Sequence, residues 1–306
     1  MAQLKIGIHT GPQNVSMEEL LALWRRADEA GFHWISVWDH FYANPLQSRQ
    51  DPCFEGVASM ATLAAVTERV RVGCLVFCAL FRNPALLAKA ATTIDHVSGG
   101  RAELGLGAGW FEEEFHDFGY DFPPLGERLD QLEEALEVTR SLLRDEETNF
   151  EGRYYELSGA VCSPKPVGDV RLWVGGRGRK RTPALAARFA DGFNMPYLSP
   201  EDAAERLDTL HAECEQSDRD VAEIETSVNV GYYLGRAGAS GPPEHLAGGA
   251  LVGSSQQAID HLGAYVDAGL DGVNLAFRPP IDRDDFERFI DDVLPVFHDD
   301  EEPGVK

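Results

Sequence analysis

The segment from Val174 to Gly192, VGGRGRKRTPALAARFADG, places four cations (Arg177, Arg179, Lys180 and Arg181) beside three glycines at the start of a helix-like run. A helix N-terminus is already positive through its unpaired N–H groups, so cations are favourable there only if an anion lies opposite. Gly175, Gly176 and Gly178 permit positive φ and close approach of the backbone to a ligand. Thr182 adds a hydroxyl, and Pro183 sets the first turn. Phosphate binding uses all of these groups at once. The alternative is a solvated turn whose basic residues pair with surface acids.

A second constellation is Asp39-His40, directly after the apolar run HWISVW. Histidine titrates near neutral pH and suits proton transfer at a reacting centre, with Asp39 orienting the ring or hydrogen-bonding a ligand. The alternative here is a polar corner that closes a strand. A third stretch, GLGAGWFEEEF, holds Gly105, Gly107 and Gly109. Its GxGxxG spacing fails at Trp110, and no clean helix follows, which excludes a dinucleotide fingerprint.

The elements that must position these residues alternate regularly. Apolar strands at LKIGIH, HWISVW, RVRVGCLVFCAL and AELGLGAG are separated by helices, and RLWVGG, GFNMP, TSVNVGYYL and DGVNLAF repeat the pattern. Ser16 with Glu19 reads as a capping box, Gly31 as a helix stop, and Asn83-Pro84 with Gly99 as the two ends of another helix. Eight strand–helix units predict an α/β fold of the (β/α)8 TIM-barrel class. Two stretches interrupt the rhythm: a hairpin-like insertion after the fourth helix, and the Gly/Pro-rich residues 235–249 after the seventh strand, which read as a mobile loop and a possible lid. The chain reads as one barrel domain over residues 1–306, with a frayed acidic tail at 299–306.

In such barrels the site lies after the C-terminal ends of the strands. That rule gathers His9, Asp39, His40, Phe77, Trp110 and the glycine-rich loop into one place. His9, His40, Phe77, Trp110 and Phe111 are expected to line an apolar, aromatic substrate pocket, with Glu113 a further candidate.

Composition narrows the partners. With 27 basic against 51 acidic residues the formal net charge is -24, which disfavours nucleic acid and anionic membranes. Only five lysines occur, and an acidic, lysine-poor surface suits high salt, so a halophilic source is one expectation and an acidic protein from a GC-rich genome the other. Five cysteines without a CxxC read as reduced thiols. Nine histidines show no metal-ligand spacing, so no metal is expected. No apolar run approaches a bilayer span and the N-terminus lacks signal-peptide blocks, so a cytoplasmic location is expected.

Several motifs together, WDHF, FRNPALLAKAATTIDHVSGGRAELGLGAGWFEEEF, PPLGERLDQLEEAL, FEGRYYEL with CSPKP, and VGGRGRKRTPALAARFADGFN, resemble the luciferase-like oxidoreductases. The likeness runs in order from about residue 4 to 277 and is strongest to the coenzyme F420-dependent branch. It implies a barrel that binds FMN or the deazaflavin F420, with the phosphate at Gly175, Gly176, Arg177, Gly178 and Thr182. Arg179, Lys180 and Arg181 are candidates for the acidic glutamyl tail of F420. The resemblance also implies a non-prolyl cis peptide at Leu75–Val76 under the cofactor ring, a contact from Asp39, a proton-handling His40, and walls at Gly107 and Gly109.

The pattern departs from the sugar-phosphate and alcohol-oxidising relatives at Trp110, where those carry glutamate, and at Asn44, where they carry tryptophan. Hydride transfer to or from a small organic substrate is the expected activity, with methylene-tetrahydropterin reduction one option. An FMN-dependent monooxygenase and a non-catalytic cofactor-binding protein are the alternatives. A homodimer is a further expectation from the family.

Overall fold

The computed structural model describes residues 4–234, 242, 244–278 and 281–297. Its strands are β1 (Lys5–Thr10), β2 (Trp34–Val37), β3 (Arg71–Cys78), β4 (Ala102–Gly107), β5 (Thr148–Glu151), β6 (Glu156–Ala160), β7 (Arg171–Gly175), β8 (Gly192–Pro196), β9 (Glu225–Leu234), β10 (Ala250–Gly253) and β11 (Gly272–Phe277). Helices run at α1 (Met17–Ala30), α2 (Gly56–Val66), α3 (Pro84–Ser98), α4 (Glu112–Asp117) and α5 (Leu125–Arg144) in the first half. In the second half they are α6 (Arg181–Phe189), α7 (Pro200–Gln216), α8 (Ser255–Asp267), α9 (Arg283–Asp292) and α10 (Leu294–Phe297).

Strands β1, β2, β3, β4, β7, β8, β9 and β11 pair in parallel in that order, and β11 returns to β1. The result is a closed eight-stranded (β/α)8 barrel. The insertion after α5 is the antiparallel hairpin β5–β6. After β9, the described residues add a short 3-10 helix at Glu244–Gly249 and β10, which extends the sheet beside β9. The reading of residues 235–249 as a lid falls largely outside the described residues, as does that of the tail at 299–306.

The local signals act as their chemistry requires. Ser16 and Glu19 close the capping box on α1, and Asn83 caps α3 through its side chain while Gly99 ends it in the left-handed region at φ 70. Between barrel and helices lies a continuous apolar layer that includes Ile6, Ile35, Val72, Leu104 and Leu136. Inside the barrel, Trp34 and Trp173 pack with ring centroids 4.7 Å apart, beneath Leu75. Gly192 makes room for them: a Cβ there would sit 2.2 Å from the Trp173 ring. The Leu75–Val76 peptide is cis. The β3–β4 register shifts between Cys74 and Phe77 at the same point.

The N-terminal end of the barrel carries a ring of charge. Lys5 and Arg171 both pair with Glu225, and Arg71 pairs with the buried Glu103. Burial pushes the Glu103 carboxyl up to about 7, against the opposing pull of Arg71 and Arg171. The folded state therefore keeps a proton that the unfolded chain releases between roughly pH 4.5 and 7, and stability from this group falls as pH rises through that window. Burial acts with the opposite sign on His33, lowered to about 4, whose contribution is lost as pH falls. Glu103→Gln removes only the first effect. Thermal unfolding is expected to show the variant gaining on the parent by about 3–5 °C between pH 5 and 8. A pH-independent difference would contradict the assignment.

Candidate active site

A cavity of about 570 Å³ opens over the C-terminal ends of the barrel strands. Leu75 and Val76 form part of its lining, flanked by Gly107 at the end of β4 and Gly175 at the end of β7. A Cβ on either glycine would lie 2.5 Å from a Val76 methyl, so only glycine lets the two strands close around that side chain. Gly178 approaches in the same way, its Cβ position being 2.3 Å from the Thr182 hydroxyl. Close approach is thus the reason for Gly175 and Gly178, which do not have positive φ. Gly109 does, at φ 71, where the chain turns away from β4.

Above this floor, α6 begins without a side-chain cap, as α4 and α5 also do, whereas Ser16, Asn83, Ser199, Ser254 and Asp282 cap their helices. The first N–H groups of α6 are therefore left for another acceptor. Gly176, Arg177, Gly178 and Thr182 all line the cavity at this point. Two other cations of the segment are directed elsewhere. Arg179 reaches Glu205 on α7 at 3.3 Å, and Arg181 pairs with Asp130 and Glu133 on α5. This departs from the expectation for Arg179 and Arg181, which face acids of neighbouring helices rather than the cavity. Surface pairing thus accounts for Arg179 and Arg181, while Arg177 stays on the cavity.

His40 lines the same cavity from the end of β2. Its Nδ1 lies 2.8 Å from Glu114 Oε2, while Glu114 Oε1 accepts from the backbone N–H groups of Phe41 and Tyr42 at 2.8 and 2.9 Å. Glu114 is 1% exposed. An ionised carboxylate only accepts, so Nδ1 of a neutral His40 must carry the proton and Nε2 is left as the acceptor. The same acid-orients-base arrangement recurs wherever a histidine must present one defined nitrogen. His9, also on the cavity, places Nδ1 2.9 Å from the Ser36 hydroxyl. Burial, with the nearby Arg278 and His40, lowers its pKa to about 3, so it is a neutral hydrogen-bonding group at ordinary pH.

Three sequence expectations land differently. Asp39 borders the cavity, but its carboxylate is held by both terminal nitrogens of Arg82, at 2.7 and 2.8 Å, and by the Cys78 N–H. It is a buried, charge-compensated group rather than a free acceptor. Glu113 points outward and pairs with Arg49 at 2.7 Å; its neighbour Glu114 enters the site. Phe77 is 1% exposed and belongs to the core between barrel and helices, because Leu75, Val76 and Cys78 take the cavity side of β3. Trp110, Phe111, Gly107 and Gly109 line the cavity.

The sequence reading did not single out Trp38, Glu114, Tyr197, Asn229 or Arg278, all of which line it. Asn229 and Asn194 face one another across β8 and β9, with Asn194 Nδ2 donating to Asn229 Oδ1 at 3.0 Å. Asparagines inside otherwise apolar strands were the available signal, since buried amides need partners.

Fold and site together define a (β/α)8 barrel whose glycine-rich loop after β7 and acid-oriented histidine after β2 line one cavity. The comparisons narrow the class. The luciferase-like monooxygenase family description matches residues 1–240, and the chain belongs to that family. The F420-dependent glucose-6-phosphate dehydrogenase of Amycolatopsis mediterranei is 28% identical over 333 residues, covering 95% of this chain and 98% of that protein. The pyrimidine monooxygenase RutA of Agrobacterium fabrum is 32% identical over 177 residues, 56% of this chain and 48% of that protein. Among solved structures, an F420-dependent secondary alcohol dehydrogenase superposes with a TM-score of 0.85 at 20% identity, covering 98% of this chain and all of that one. The coenzyme F420-dependent tetrahydromethanopterin reductase of Methanopyrus kandleri does so with 0.82 at 17% identity, covering 97% and 100%. These two likenesses bear on the fold.

Proposed function

We propose that this protein is a coenzyme F420-dependent oxidoreductase that moves a hydride between the deazaflavin and a small organic substrate. The observation that carries this reading is the uncapped α6 N-terminus, with Arg177, the Gly176–Gly178 backbone and Thr182 brought together at one end of the cavity. A phosphate fits that donor set. Likeness over 95% of the chain to an F420-dependent dehydrogenase supports the choice of cofactor.

In this assignment Arg177, the free N–H groups of α6 and the Thr182 hydroxyl hold the phosphate. Leu75, Val76, Gly107 and Gly109 border the ring. When bound, the deazaflavin supplies a two-electron hydride donor or acceptor. His40 Nε2 takes or returns the substrate proton, Glu114 fixes its tautomer, and neutral His9 offers a hydrogen bond without competing for that proton. Asp39 supports the wall through Arg82. Trp38, Trp110 and Phe111 exclude water from the reacting face.

A second reading, an FMN-dependent monooxygenase, is favoured by the likeness to RutA. Among the described residues no helix is long and apolar enough to cross a membrane. All five cysteines are free and four are buried, which supports a location in the reducing cytoplasm. A single-barrel organisation and a homodimeric state are part of the same proposal.

Arg177→Ala is expected to weaken F420 binding about tenfold at low ionic strength, with a smaller loss in high salt where the charge is screened. Fluorescence titration of the deazaflavin measures both. Unchanged affinity at low salt would remove Arg177 from the phosphate site.

A further inference from the structure

Trp110 is the unusual residue of the cavity. It is 61% exposed, although it borders a largely apolar site, and large aromatic side chains normally bury more of their surface. Its ring stacks on Phe111, with centroids 5.3 Å apart and planes 14° from parallel. Both rings meet His40 nearly edge-on, at 78° and 66°, with centroids 5.6 and 6.1 Å away. Two flat rings therefore form a shelf beside the nitrogen that handles the proton, with the outer surface of Trp110 open at the cavity mouth.

The charged groups near the shelf are already engaged, including Arg278, whose guanidinium donates to the Asn44 carbonyl and lies over the Trp38 and Tyr197 rings. Asp39 is matched by Arg82, Glu114 by His40 and two backbone N–H groups, and His9 is held neutral by burial. Nothing among these groups calls for a charged or polyhydroxylated ligand at the shelf. What the shelf offers is π-surface, which favours offset stacking of another flat ring.

The geometry points to a planar, π-conjugated substrate, an aromatic ring carrying a conjugated carbonyl, that stacks on Trp110 and turns its polar edge to His40. This rests on the assignment of the cavity in the preceding section. It adds the substrate class and makes Trp110 the residue that sets specificity. A saturated ring of equal size lacks the flat face and stacks poorly.

The probes are 1-tetralone, a flat aryl ketone, and 1-decalone, its saturated bicyclic counterpart, titrated calorimetrically into the protein with F420 present and absent. Tetralone is expected to bind at least about fivefold more tightly than decalone. Trp110→Leu keeps apolar bulk but removes the π-face, and is expected to lose most of that preference, whereas Trp110→Phe retains it. Both variants should bind F420 as the parent does.

Equal affinity for the two ketones, or an undiminished preference in Trp110→Leu, overturns the proposal. Loss of F420 affinity in both Trp110 variants overturns it too, since Trp110 would then belong to the cofactor site. Failure of F420 to bind the parent protein instead defeats the cofactor assignment. The tetralone preference and its dependence on Trp110 are still read in the F420-free titrations.

Discussion

Glu114→Gln is expected to lower turnover about 100-fold while leaving F420 affinity within about twofold. The carboxylate binds His40 Nδ1 with one oxygen and two backbone N–H groups with the other, so it both aims the ring and fixes its proton. The amide of glutamine can keep accepting from Phe41 and Tyr42 through its carbonyl oxygen. Its NH2 group then faces His40 and stabilises the tautomer with the proton on Nε2, the wrong nitrogen for accepting one from substrate. Steady-state kinetics should place the loss in kcat rather than KM. In a His40→Ala background the same change should cost almost nothing more, because the two residues act as a unit. A full additional loss in that background would show Glu114 acting by another route.

The largest effect on stability is expected at Arg82. Its guanidinium spans Asp39 and Glu55, and the Asp39 side chain is only 2% exposed. Arg82→Met leaves a buried carboxylate with the Cys78 N–H as its remaining donor. Removing one partner of a buried pair costs about 3–5 kcal/mol. For a chain of this size that corresponds to a fall in Tm on the order of 10 °C. The double variant Asp39→Asn/Arg82→Met discards both charges and is expected to recover more than half of the loss, since no uncompensated ion remains. Differential scanning calorimetry of the three proteins decides this. A double variant as unstable as the single would place the cost in lost arginine packing instead.

How far the sequence could carry these conclusions depended on the range of the forces involved. Helix ends are set within a few residues, so the Ser16–Glu19 box and the Asn83–Gly99 boundaries were legible. The strand–helix alternation likewise led to a closed barrel. Which member of a like-charged run faces the site depends on the rotation of a six-residue helix, and Glu113 was chosen where α4 turns Glu114 inward. The rule that site residues follow the strand ends placed Phe77 in the pocket, but β3 continues to Cys78 and its pairing with β4 shifts after Cys74, which leaves Phe77 in the core. Arg179 and Arg181 looked like ligand-binding cations because their partners, Glu205, Asp130 and Glu133, arrive from other helices. Long-range ion pairs leave no mark on the local sequence.

The most direct measurement is a parallel binding titration of the purified protein with F420 and with FMN, at low and high salt, on the parent and on Arg177→Ala. The account expects tight binding of F420, weaker binding of FMN, and a loss in the variant that is greatest at low salt. A preference for FMN would move the protein to the oxygen-using branch of the family, and binding of neither cofactor by folded protein would contradict the phosphate site at α6.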